Sequence, residues 1–236
     1  MKIGLTLSLS GNSSAIIDGI VDFTQTAIFA GNSYLLKSTN TLPSPGASET
    51  AAALFGVRFR MIDGEAQVTG TLLSTATDSA NNDTYLYISS QSGRGRESST
   101  STGGSLTAIT DNDWHQLTVG VYYSGGDTIF HMLRDDGEEV IHTLTGVLTD
   151  ISNHSFLTIG AQKRGQALAD NFANVQISDV FIGVGDLSEV HDALRADGAD
   201  PSGSDFDAVR TEHVPLRRAY VDDDGAPIDA LTGFTE

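Results

Sequence analysis

The sequence predicts an all-β protein, a two-sheet antiparallel jelly-roll sandwich with one short helix and an arm at each end. Three observations carry this. Short apolar runs alternate with polar residues, the period expected of half-buried strands. Gly, Ser, Thr, Asn and Asp fill the spaces between the runs. The runs also follow one another at the spacing of consecutive strands in a sandwich.

In chain order, Phe55, Val57, Phe59 and Met61 alternate with Gly56, Arg58 and Arg60, which reads as a strand with one buried face. Leu72-Leu73 and Tyr85-Leu86-Tyr87-Ile88 supply the next two strands. Residues Arg94 to Gly104, rich in Ser, Thr and Gly, read as a long exposed loop. Then come Trp114 to Tyr122, the turn Ser124-Gly125-Gly126-Asp127, Ile129 to Leu133, the turn Asp135-Asp136-Gly137 and Val140 to Leu144. Phe156 to Gly160 and Val175 to Ile182 complete the set. A helix is expected after Asp186, an N-cap with Glu189 three residues on. Leu187, Val190 and Leu194 share its face, and Gly198 is placed for a C-cap. The domain reading is an N-terminal arm or extra strand at 1–25, the jelly roll at 26–195 and an acidic C-terminal extension at 196–236.

Composition excludes several functions. The chain has 236 residues, enough to bury a core without staples, and no cysteine. Its 31 acidic and 13 basic residues give a formal charge of -18. Such a field repels phosphate backbones and anionic membranes, so neither nucleic acid nor membrane is an expected partner. The start, Met1 to Ser10, is too polar for the apolar core of a signal peptide, and no run reaches the ~20 apolar residues of a membrane span.

The ordered series resembles the laminin-G-like jelly rolls of the concanavalin A-like lectin/glucanase superfamily. Ala27 to Leu35 is similar to that family's opening strand, Phe55 to Arg60 to its first long strand, and Leu72-Leu73-Ser74 to the one that follows. Asp113-Trp114-His115-Gln116-Leu117 matches its Trp-His strand, Asp136-Gly137 its hairpin and Leu157-Thr158-Ile159-Gly160 a later strand. Phe172 through Ile182 to Leu187-Ser188 resembles the closing motif, with Ala173 and Asn174 where the family usually has glycine. The resemblance covers about residues 26–195 and implies two face-to-face sheets of six or seven strands. It does not imply one function, since lectins, calcium-dependent binders, glycosidases and virion modules share this architecture.

Candidate sites are few. Glycosidases on this fold carry paired carboxylates on one strand. Among eight glutamates here, Glu138 and Glu139 are adjacent and so point to opposite strand faces, while Glu65, Glu97, Glu189 and Glu212 have no suitably spaced acidic partner. No catalytic residue is assigned, and His115, His131 and His142 read as ordinary strand histidines. Calcium is the one cofactor considered, with Asp78, Asp83, Asp111 and Asp113 as candidate ligands, because Asp- and Asn-rich loops offer the oxygens it needs. The same residues are turn formers, which is the simpler reading. Trp114, the only tryptophan, is the candidate ligand contact. Strand parity places it with Gln116 and Thr118 opposite Leu117, Val119 and Val121, where it offers a sugar-stacking platform; packing at the strand start is the preferred role.

These features lead to a non-enzymatic virion structural, decoration or tail-associated protein, located on the particle surface and working in a homo- or hetero-oligomeric assembly. The alternative is a carbohydrate-binding or calcium-dependent adhesion module with a glycan partner. A glycosidase comes last.

Overall fold

The computed structural model describes residues 27–30, 34–38, 42–61, 70–78, 85–89, 92–97, 100–146, 151–164, 171, 173–196, 199–216 and 234–235. Its strands are β1 (Ala27–Ala30), β2 (Leu35–Ser38), β3 (Ala52–Met61), β4 (Thr71–Ala76), β5 (Tyr85–Ser89), β6 (Ser92–Glu97) and β7 (Thr100–Ser105). They continue as β8 (His115–Ser124), β9 (Asp127–Arg134), β10 (Glu138–Leu144), β11 (Phe156–Ile159), β12 (Asn174–Gly185), β13 (Arg210–Pro215) and β14 (Phe234–Thr235). One helix, α1 (Leu187–Arg195), follows β12.

All pairings among these strands are antiparallel, and they form two seven-stranded sheets. The first sheet runs β1-β12-β3-β8-β9-β10, with β13 beside β1 on the same edge of β12. The second runs β14-β2-β11-β4-β5-β6-β7. Alternation decides which side chains meet between them. Phe55, Val57 and Phe59 of β3, Leu117, Val119 and Val121 of β8, and Phe130 and Met132 of β9 are fully buried, together with Leu73, Leu86, Leu157 and Ile159 from the second sheet. This is the jelly-roll sandwich expected from the apolar periodicity.

One expectation is corrected. Residues Arg94 to Gly104 are not a loop: β6 and β7 pair from Ser92↔Ser105 to Glu97↔Thr100 as an edge hairpin. Backbone ladders need only N–H and C=O groups, so a Ser/Gly-rich segment can pair without the apolar alternation that reveals strands in sequence. The 196–236 region contributes β13 to one sheet and β14 to the other. Residues 1–25 and Gly198 lie outside the described residues.

The helix forms as its sequence requires. The Asp186 carboxylate accepts hydrogen bonds from the Ser188 and Glu189 backbone N–H groups at 3.0 and 3.2 Å, and Leu187, Val190, His191 and Leu194 make one buried stripe. The stripe lies on the outer face of the first sheet, over Ala52, Leu54 and Phe181. Two glycines let it approach. A Cβ on Gly56 would stand 2.9 Å from Leu194 Cδ1, and one on Gly120 would stand 3.0 Å from Leu187 Cδ2. Gly56→Val is therefore expected to lift the C-terminal half of α1 and cost about 1–3 kcal/mol, the usual range for overpacking. A urea titration of the variant checks this; an unchanged midpoint would show that the helix does not rest on that glycine.

Candidate functional site

Beyond the C-terminal end of α1, the outer face of the first sheet carries polar side chains in two cross-strand rows. Asp179, Arg58 and Gln116 are register neighbours on β12, β3 and β8. Gln176 and Arg60 form the next row, and Trp114, just ahead of β8, continues it. The rows lie about 7 Å apart along the strands. A bulge at Ser178 sets this arrangement. Pairing shifts between Ile177 and Asp179, so Val175 and Ile177 face the core before it and Val180 and Ile182 after it. Gln176 and Asp179 thereby share the outer face although they are separated by an odd number of positions.

Trp114 belongs to neither apolar cluster and is half-buried. The Arg60 guanidinium lies 5.1 Å from its ring centroid, and Arg60 Nε–H donates to Gln176 Oε1 at 2.5 Å. A cation over an indole is attracted by the ring quadrupole, so Trp114 and Gln176 together orient Arg60. The preferred sequence reading, packing at the strand start, gives way to an outer-face position because the parity of β8 continues one residue upstream. Next to this trio lies a hollow of about 210 Å³, counted with its open mouth and lined by Gly56, Arg58, Gln116, Asp179, Phe181, Leu194 and Pro201. The space inside it open to a water-sized group is only about 10 Å³, far below the roughly 300–1,000 Å³ of pockets that enclose a small molecule. Asp179 is itself buried and accepts from His213 Nε2–H at 3.0 Å.

The loops behind Trp114 are locked by charge. His115 Nδ1–H donates to Asp135 Oδ2 at 2.7 Å and Nε2–H to Asp111 Oδ1 at 2.9 Å. Acceptors on both nitrogens favour the protonated ring, which can donate from each. Burial alone pulls its pKa down, but the hydrogen bonds and charges of Asp135 and Asp111 outweigh this and the net shift is upward. Asp135 is the hub. Burial works against its charge, yet the bonds from His115 and from the Gln116 backbone N–H hold its carboxyl below the usual range. Its backbone carbonyl accepts from His191 Nε2–H at 3.0 Å. His191, pushed down mainly by burial, is the neutral tautomer whose Nδ1 accepts from the Thr118 hydroxyl at 2.9 Å. The helix, β8 and the β9–β10 turn are thus tied at one residue, which adopts the left-handed backbone at φ 51°.

Among the described residues the calcium candidates do not converge. Asp111 uses one carboxylate oxygen for His115 and for the Asp113 backbone N–H, and the latter bond is the main cause of its lowered pKa. That is the turn-forming role rather than an open ligand. Asp113 and Asp78 are exposed, and Asp83 lies outside the described residues. Among the described residues no three His, Asp or Glu side chains are placed to share an ion. Glu138 pairs with Arg134 while Glu139 accepts from His131 Nε2–H at 2.7 Å, on opposite faces of β10. They do not form a carboxylate pair across a cleft. No helix among the described residues is long and apolar enough to cross a membrane.

Sequence parity placed Trp114, Gln116, Arg58 and Arg60 on their faces but did not join them into a site, and it missed Gln176. The alternation of Gln176 with Val175 and Ile177 was the available signal.

No family model and no curated protein matches the chain. Solved structures do. A native heptameric SAP-like pentraxin from Limulus polyphemus aligns with a TM-score of 0.52 at 16% identity, over 73% of this chain and 82% of that one. Domains LG4-5 of the mouse laminin α1 chain align at 0.45 and 16%, over 66% and 40%. A sialidase CBM40 from Ruminococcus gnavus, bound to α2,3-sialyllactose, aligns at 0.44 and 10%, over 65% and 89%. At such identities the likeness concerns architecture, and the chain has the jelly-roll sandwich fold seen in the pentraxin.

Proposed function

We propose that this domain is a non-enzymatic, lectin-like module that binds a saccharide on the outer face of its first sheet, at the Trp114 end. The observation that carries this is the half-buried indole held beside an oriented guanidinium and next to a small surface hollow. A sugar offers an apolar C–H face for an aromatic ring and hydroxyls for planar polar groups. Gln176, Arg58 and Arg60 supply such groups within two adjacent rows, while Gln116 is buried and gives its amide N–H groups to Leu117 O and Thr118 Oγ1. The virion-subunit reading rests on the fold without paired carboxylates, the acidic composition without cysteine, and the two arms, and it gains nothing from the solved structures, so binding takes precedence over it.

On a glycan array the protein is expected to bind at least one saccharide class. Trp114→Ala should weaken that binding about tenfold or more, equivalent to roughly 1.4 kcal/mol, with the far-ultraviolet circular dichroism unchanged. An array without a bound glycan, or a Trp114→Ala variant that binds as well as the parent, would remove the basis of this reading.

A further inference from the structure

We propose that the ligand of this face is an anionic saccharide whose carboxylate is taken by Arg60. The inference deepens the saccharide-binding reading and rests on it. The chain carries a formal charge of -18, and its acidic residues claim several of its arginines. Arg134 pairs with Glu138, Arg195 with Asp136 and Asp192, and Arg210 with Asp207. Arg58 has the carboxylate of Asp179 on its register partner. Arg60 differs. Among the described residues its contacts are the Gln176 amide oxygen and the Trp114 ring, both uncharged.

Its orientation suits the role. A guanidinium is a planar fork that meets a carboxylate through two parallel N–H bonds. Gln176 takes the Nε–H, and the indole centroid lies 5.1 Å from the guanidinium carbon. Among the described residues the terminal Nη groups meet no acceptor. A guanidinium ordered before the ligand arrives loses less entropy on binding. A sugar stacked against Trp114 brings a ring carboxylate to the neighbouring position in the same row. Among the described residues, a neutral sugar would leave this group without a counter-charge. A carboxylated sugar with an apolar ring face can use both the guanidinium and the indole, whereas a bare anion such as phosphate can use only the guanidinium.

The test compares acid and neutral forms of the same saccharide on the full chain by calorimetry. Polygalacturonate is set against its methyl ester, and sialyllactose against lactose; the two pairs separate an acidic polymer from a terminal acidic sugar. The expected result is at least a tenfold preference for the acid in one pair. Arg60→Gln should abolish that preference, and Arg60→Lys should retain part of it, with circular dichroism confirming that each variant is folded. Equal binding of acid and neutral forms in both pairs, or a preference that survives Arg60→Gln, overturns the proposal. Neutral binding that still depends on Trp114, without charge preference, overturns the anionic assignment alone. Absence of binding to every saccharide on the array and in both pairs overturns the module reading with it.

Discussion

Phe55→Ala is expected to destabilise the domain by about 3–5 kcal/mol, the usual cost of deleting a fully buried aromatic side chain. Phe55 sits on the strand that joins both halves of the first sheet, with Ile182 of β12 and Val119 of β8 as register neighbours, and it is fully buried. Those neighbours point into the same intersheet layer, so the ring cannot be replaced by a small side-chain shift, and the cavity persists. Natural domains have about 5–15 kcal/mol in total, so this one change removes a large share. Chemical denaturation of parent and variant measures it. A loss below about 1 kcal/mol would mean that the two sheets are not packed through β3.

Asp135→Ala is expected to cost about 2–3 kcal/mol. Two bonds to the carboxylate are lost, from His115 and from the Gln116 backbone, and bonds to charged groups contribute roughly 1.5–3 kcal/mol each. The expected cost falls below the summed range of about 3–6 kcal/mol because the Asp135 side chain is 40% exposed and water compensates in part. Alanine also tolerates φ 51° less well than aspartate. Asp135→Asn, which keeps an acceptor and tolerates that backbone, should lose less.

The pH dependence separates the charge from the shape. The folded pKa of His115 is raised, so its contribution is complete below the unfolded value of about 6.5 and declines as pH rises through the higher folded value. Asp111 and Asp135 have lowered folded values, so their contribution is present above the ordinary carboxylate range and is lost as pH falls through the folded values. Above about pH 6.5 the His115 contribution to stability should decline as pH rises, and Asp135→Ala should flatten that component of the slope. An identical slope in both proteins would show that His115 does not depend on Asp135.

What the sequence made legible follows from where the physics is local. Strands β3, β8 and β9 could be read because one face of each is apolar, and α1 because its cap and apolar stripe are within one turn of each other. The β6–β7 hairpin could not, because its pairing is carried by backbone groups that have no side-chain period. The candidate site was partly legible. Trp114 and Gln116 share a face by parity, and Arg58 and Arg60 alternate with core residues. Joining these across strands needs the register, and Gln176 joins Asp179 on that face only through the bulge at Ser178. The Asp135 hub was read as a turn, since its partners His115 and His191 lie 20 and 56 residues away in sequence.

The position of the binding face can be read from one signal, because Trp114 is the only tryptophan in the chain. Its fluorescence reports the environment of that indole alone. Titration with the saccharide that binds best, polygalacturonate being the first to try, should change the emission saturably, with the same Kd as calorimetry and with a midpoint at least about tenfold higher in Arg60→Gln. Saturable binding by calorimetry with unaltered tryptophan emission would place the ligand elsewhere on the sandwich and contradict the account.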